Sequence, residues 1–277
     1  MLKKLFACCA LSLLLMNADA QGFRTPQPSP TQTVKQDFGI GNIELSYSRP
    51  GKKDRKIFGE LVPFGKVWRT GANNATTLNF SDTVIIGGTK INPGKYGLLS
   101  IPDKNEWTFI ITKQLNVTSP TAYKQDMDVV RVKVKPETSK NVTETFTIQF
   151  ENVKASTADI AVMWDNVVAR LPISTEFDAR VVKDIANALR DNRPYFQAGM
   201  YYVETGRDLN QAVDWFDLAI QQNPNAFWVY HQKANALAKL GKKDEARTAA
   251  NKSLELAKQA SNDDYVKLNE DLLKNLK

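Results

Sequence analysis

The sequence predicts two folds in tandem: an antiparallel β-sandwich of about 8–10 strands, with a closed-barrel relative as the alternative, then an all-α helical array. Three observations predict this. From about residue 32 to Pro172, apolar residues alternate with polar ones, the period of strands with one buried face. After Pro172 the apolar period lengthens to that of helices. Within the helical part, small residues recur at a fixed interval.

Composition narrows the chemistry. The chain has 277 residues, 42% hydrophobic and 24% charged, enough apolar material for real cores. Two cysteines and one histidine exclude a disulfide-built miniprotein, a thiolate zinc site and a multi-histidine metal site. A Ser-His-Asp triad would have to use His231. No cofactor motif is present: Gly87-Gly88 and Thr70-Gly71 are turn signals, not phosphate loops.

Residues 1–20 have the pattern of a secretory signal. Lys3 and Lys4 supply the positive start, an apolar run from Leu5 to Met16 follows, and Ala18-Asp19-Ala20 is a small-x-small cleavage pattern. Cleavage before Gln21 would remove both Cys8 and Cys9. The rest of the chain has no run approaching the roughly 20 apolar residues that span a bilayer. The expected location is periplasmic or extracellular. The expected segments are a signal over 1–20, a Pro-rich extended lead-in over 21–31, the β domain over 32–173 and the helical domain over 174–277.

Within the β domain, Ile43, Leu45 and Tyr47 share a face. So do Val130, Val132 and Val134, then Val142, Phe146, Ile148 and Phe150, then Ile160, Val162 and Trp164. Gly87-Gly88 is a hairpin signal, and Pro93-Gly94 precedes a strand over 96–101. Another strand is expected over 107–112, and Asp165-Asn166 reads as a turn. Helices are expected over 175–190, opened by a Thr175/Asp178 capping pair, and over 194–205, 209–222, 226–240 and 244–260. A sixth, capped by Ser261, runs to about 276.

Ala212, Phe216, Ala219 and Pro224 have the spacing of one helical-hairpin unit. Thirty-four residues on stand Ala246, Ala250, Ser253 and Lys258, small in three of the four places. Small residues let paired helices approach closely. This resembles the tetratricopeptide repeat. The resemblance implies a groove for a protein or peptide partner, with Tyr201, Tyr202, Trp228 and Tyr230 as candidate contacts. The competing reading makes these aromatics core and the array a brace for the β domain.

Charge is uneven. Residues 21–173 carry 20 Lys+Arg against 14 Asp+Glu, whereas residues 174–277 carry 15 of each. The excess concentrates in Arg49, Lys52, Lys53, Arg55, Lys56, Lys66 and Arg69, opposed only by Asp54 and Glu60. Such a field draws anions, and forked guanidinium groups suit bidentate pairing. Arg49, Arg55, Trp68, Arg69 and Asn73 are the candidate ligand residues, for an acidic small molecule or a glycan. Internal pairing of the arginines with Asp54, Glu60 or Asp82 is the alternative. No nucleic-acid module is visible.

The runs Ser48-Arg49-Pro50, Arg55-Lys56-Ile57-Phe58-Gly59 and Pro63-Phe64-Gly65-Lys66-Val67-Trp68-Arg69-Thr70-Gly71-Ala72-Asn73 are distinctive. With Pro93-Gly94-Lys95-Tyr96-Gly97-Leu98 and Ile101-Pro102 before Trp107, they resemble the DUF2911 family over about residues 30–173. That resemblance implies an exported bacterial β domain, often followed by a helical repeat tail. It implies no activity, cofactor or catalytic residue.

The function expected is therefore a non-enzymatic binding or scaffold protein without a cofactor. The first rival is a glycan-active hydrolase or lyase using carboxylates such as Asp126 or Asp128, with Arg49 or Arg69 holding substrate. The second is a chaperone-like envelope factor acting through the repeat groove.

Overall fold

The computed structural model describes residues 25–191 and 194–276, so the leader expected over 1–20 lies outside the described residues. The chain divides into two units between Glu176 and Phe177. Among the described residues the first unit has ten strands: β1 (Thr31–Phe38), β2 (Gly41–Ser48), β3 (Thr76–Phe80), β4 (Val84–Ile86), β5 (Thr89–Ile91), β6 (Gly94–Ile101), β7 (Trp107–Thr112), β8 (Asp128–Val134), β9 (Glu137–Glu151) and β10 (Thr157–Ser174). They form two antiparallel sheets, ordered β1-β2-β3-β6-β7-β8 and β5-β4-β10-β9. The sheets pack as a sandwich and do not close into a barrel.

The alternation read from the sequence sets the core. Ile43, Leu45 and Tyr47 of β2 point inward, as do Leu78 and Phe80 of β3, Phe146 and Ile148 of β9, and Ile160, Val162 and Trp164 of β10. Gly87 and Gly88, both with positive φ, turn β4 into β5. Asp165-Asn166 is not a turn. β10 runs straight through it, and Asp165 (φ +54°) sits at a bulge where the register with β9 shifts. Val142, placed by alternation on the inward face of β9, is exposed beside that irregular stretch.

The second unit has, among the described residues, six helices: α1 (Asp178–Asp191), α2 (Tyr195–Thr205), α3 (Leu209–Gln222), α4 (Phe227–Lys239), α5 (Lys243–Gln259) and α6 (Asp263–Asn275). The expected Thr175/Asp178 cap is not formed. Thr175 belongs to the β unit, where its hydroxyl donates to the Thr83 carbonyl at 2.9 Å. Asp178 instead receives the Tyr201 hydroxyl at 2.6 Å and the Arg207 guanidinium. Gly206 ends α2 in the left-handed conformation, and the Asp208 side chain caps α3 by accepting from the Asn210 and Gln211 amides. α6 is capped by Asn262, not Ser261, through an acceptor bond from the Tyr265 amide at 3.0 Å.

Small residues do the packing that their spacing implied. Ala212, Ala246, Ala250 and Ser253 are fully buried, and Phe216 fills the space they leave. Gly199 of α2 faces Phe216 so closely that a Cβ there would lie 2.6 Å from the ring. Inside this unit His231 Nδ1 lies 2.8 Å from Asn269 Oδ1. Asn269 Nδ2 donates to Ser253 Oγ at 2.8 Å and to the Tyr265 carbonyl at 2.7 Å, which leaves its oxygen as the acceptor and the proton on His231 Nδ1. Ser253 in turn donates to the Phe227 carbonyl at 2.7 Å, so the buried polar groups satisfy one another.

Candidate functional site

The segment joining β2 to β3 covers residues 49–75 and contains the whole basic stretch. A connection this long without strands or helices of its own is usually functional. It is fastened to both sheets. Lys52 N–H donates to the Glu144 carbonyl at 2.6 Å and Phe146 N–H to the Pro50 carbonyl at 2.9 Å, which joins it to β9. Trp68 and Ser100 exchange backbone bonds at 2.7 and 2.9 Å, which joins it to β6. Between these clasps, Ile57 and Val62 are buried in the core and hold the segment down.

The fastened segment forms one side of a cleft of about 440 Å³. Four basic side chains line it: Lys53, Arg55, Lys66 and Arg69. Trp68 and Trp164 lie nearly parallel at its base, with ring centroids 6.0 Å apart. Among the described residues, no Asp or Glu belongs to the lining. The carboxylate of Glu144 lies next to Gly51 and accepts the Lys53 amide at 2.7 Å.

The expected internal neutralisation of the arginines does not occur among the described residues. Arg55 donates to the Lys52 and Gly51 carbonyls, and Arg69 donates from Nη1 to the Thr118 carbonyl. Arg69 Nε is buried and finds no acceptor among the described residues. The two guanidinium groups are therefore oriented by neutral backbone rather than by an ion pair, with the Glu144 carboxylate held by backbone beside the cleft.

Two candidates fall outside the lining. Arg49 turns away and bonds the Phe146 carbonyl at 3.2 Å and Thr147 Oγ1 at 2.9 Å, so it fixes the segment to β9. Asn73, with φ +58°, donates to the Ser29 carbonyl at 3.1 Å and to Ser48 Oγ at 3.3 Å. It thereby holds Ser29, which is itself a wall of the cleft. Reasoning from the sequence missed Trp164, Thr118, Ser119 and the Pro28-Ser29 wall, which reach the cleft from distant parts of the chain. Lys53 and Lys66 were visible as charge but not as lining.

Backbone strain marks the same place. Thr70 is β-branched and fully buried, yet has φ +54°. Gly71 follows at φ +148°, where a Cβ would stand 3.1 Å from the Ser48 carbonyl. Non-glycine residues held this way cost on the order of 1–3 kcal/mol and gather at functional sites.

Residues 29–173 match the family described as "Protein of unknown function (DUF2911)". The chain belongs to the DUF2911 family. Residues 215–248 match a tetratricopeptide repeat. No curated protein matches the chain. All of the cleft's lining except Pro28 falls within the DUF2911 match, and the distinctive run Lys66-Val67-Trp68-Arg69 supplies part of its wall.

Other groups in the DUF2911 domain are committed elsewhere. Asp128 receives Arg131 Nε at 2.8 Å and the Tyr123 hydroxyl, while Asp126 lies on an exposed turn at Gln125–Met127; neither lines the cleft. Burial and the bond to Asp128 push the Tyr123 hydroxyl above its usual range. Among the described residues no group of three or more His, Cys, Asp or Glu is placed to hold a metal ion, and no helix is long and apolar enough to cross a membrane.

In the repeat region the four candidate aromatics sit on two helices, Tyr201 and Tyr202 on α2, Trp228 and Tyr230 on α4. Tyr201 is bonded to Asp178, and Tyr202 packs edge-on against Trp215 at 4.7 Å under the Arg207 guanidinium. Trp228 packs against the helical core and the Phe227 ring. Two of the four thus pack, Tyr201 is hydrogen-bonded, and Tyr230 is half-buried.

Proposed function

We propose that the chain is an exported binding protein whose DUF2911 domain captures an acidic ligand, an acidic small molecule or glycan, in the Arg69 cleft. The observation that carries this reading is the convergence of four cations on a lining without carboxylates. Solvated surface arginines tend to pair with nearby acids, whereas here the arginines are aimed by backbone carbonyls and make no ion pair among the described residues. The export part rests on the pattern of residues 1–20. The repeat match supports a protein-contact role for the helical unit. The hydrolase reading has less support, because Asp126 and Asp128 lie away from the lining.

The test is a thermal-shift panel of phosphate, sulfate, short and medium-chain carboxylates and acidic sugars on the mature chain. At least one anion should raise Tm in a saturable way, by the equivalent of about 2.7 kcal/mol at a hundredfold excess over Kd. Arg69→Ala, and the exposed Lys66→Gln, should weaken the response. Wild type whose Tm no anion moves would sink the proposal.

A further inference from the structure

The same cleft is one-sided in a second respect, which concerns hydrogen-bond direction. Its basic side chains only donate. Many of its backbone carbonyls are already engaged, among them Gly51 by Arg55, Gly71 by the Trp68 indole at 3.1 Å, and Thr118 by Arg69. Among the described residues no side-chain amide or carboxylate lines it, so the remaining side-chain acceptors are the hydroxyls of Ser29, Thr118 and Ser119. A sugar presents many hydroxyls, each needing an acceptor for its proton. This wall has few to give.

The rest of the lining is apolar, with Leu61, Pro63, Val67, Trp68, Trp164 and Pro120 among its residues. Leu61 is 44% exposed, an apolar side chain standing in the cleft rather than in the core. A volume of about 440 Å³ lies within the range of small-ligand pockets. A fitting guest has an apolar body and ends in a group rich in acceptors and poor in donors.

We infer that the cleft takes an amphiphilic anion, an acyl or aromatic body ending in a carboxylate, phosphate or sulfate. This rests on the anion reading above and narrows it. Arg69 is the anchor, since its guanidinium lines the cleft, is aimed by the Thr118 carbonyl and has no carboxylate partner among the described residues, and the acidic head group of a guest supplies one. The apolar wall holds the body, and Lys53 and Lys66 at the exposed margin screen the head group.

The experiment is calorimetric titration of the mature chain with octanoate, decanoate and dodecanoate below their micelle concentrations. Dodecanol and oligomers of glucuronate serve as controls. Affinity should rise roughly fourfold per methylene, and dodecanol should bind at least tenfold more weakly than dodecanoate. Arg69→Gln should weaken dodecanoate at least tenfold. Lys66→Gln, an exposed change that leaves the fold intact, should weaken it two- to fivefold. Tight binding of glucuronate oligomers without chain-length dependence would overturn this inference while leaving the anion cleft standing. Equal affinity for dodecanol would overturn it through the charge. If no anion of either kind binds, both readings fail. Sedimentation with phosphatidylglycerol vesicles separates the two sources: co-sedimentation lost in Arg69→Gln assigns a lipid head group, and binding of the monomeric acid alone assigns a free ligand.

Discussion

The hydroxyl of Thr70 meets that of Ser100 at 2.9 Å, with both residues fully buried. This contact ties the strained turn after Arg69 to β6 of the larger sheet. Thr70→Val keeps the shape and strands the Ser100 hydroxyl, which should cost about 1–3 kcal/mol. In Thr70→Val/Ser100→Ala both partners are gone, so the double variant should lose clearly less than the sum of the single losses. Urea denaturation of the four proteins gives the coupling; strict additivity would show that the contact is energetically idle.

Gly199→Ala should destabilise the helical unit by about 1–3 kcal/mol, because the new methyl meets the buried Phe216 ring at 2.6 Å. Phe216→Leu should relieve part of that loss in the double variant while being harmful alone. The helical signal at 222 nm during denaturation reads both.

Asn269→Leu is similar in volume but abandons His231, Ser253 and the Tyr265 carbonyl together. The expected loss is about 1–3 kcal/mol, confined to the helical unit. Hydrogen exchange should show faster opening of α4 and α5 and unchanged protection in the β strands.

Glu151 predicts a pH dependence. Burial pushes its carboxyl up, but bonds from Gln149 and from Arg170 at 2.8 Å outweigh this and hold it below the ordinary value of 4.5. A carboxyl depressed in the folded state stabilises it above the unfolded value, and that stability is lost as pH falls through the folded value. The gap in Tm between wild type and Glu151→Gln should therefore be widest near neutrality and close progressively below pH 4.5. A gap independent of pH would refute the assignment.

Much of the fold was legible because burial imposes period. The helix over Leu209–Gln222 was read with its true bounds, since Asn223-Pro224 ends it chemically and Leu209 follows the Asp208 cap. Asp165 was misread because a bulge and a turn use the same residue types, and only the partner strand distinguishes them. Thr175 was misread as a cap because its true partner, Thr83, is 92 residues away in sequence. The site was legible as charge and illegible as geometry. Arg55, Trp68 and Arg69 reach the cleft, but nothing local tells Arg49 to turn back toward Phe146. Thr118 and Trp164 carry no signal of their own, since one is an ordinary loop residue and the other reads as core.

The segment that carries the arginines is stitched to β9 at one end and to β6 at the other. It cannot relocate without opening a seam in both layers. That side of the recess is consequently preformed, and a guest would meet a finished wall there rather than induce one. Selectivity then resides in contour, and the speed of capture is set by diffusion and long-range attraction, not by rearrangement of the host.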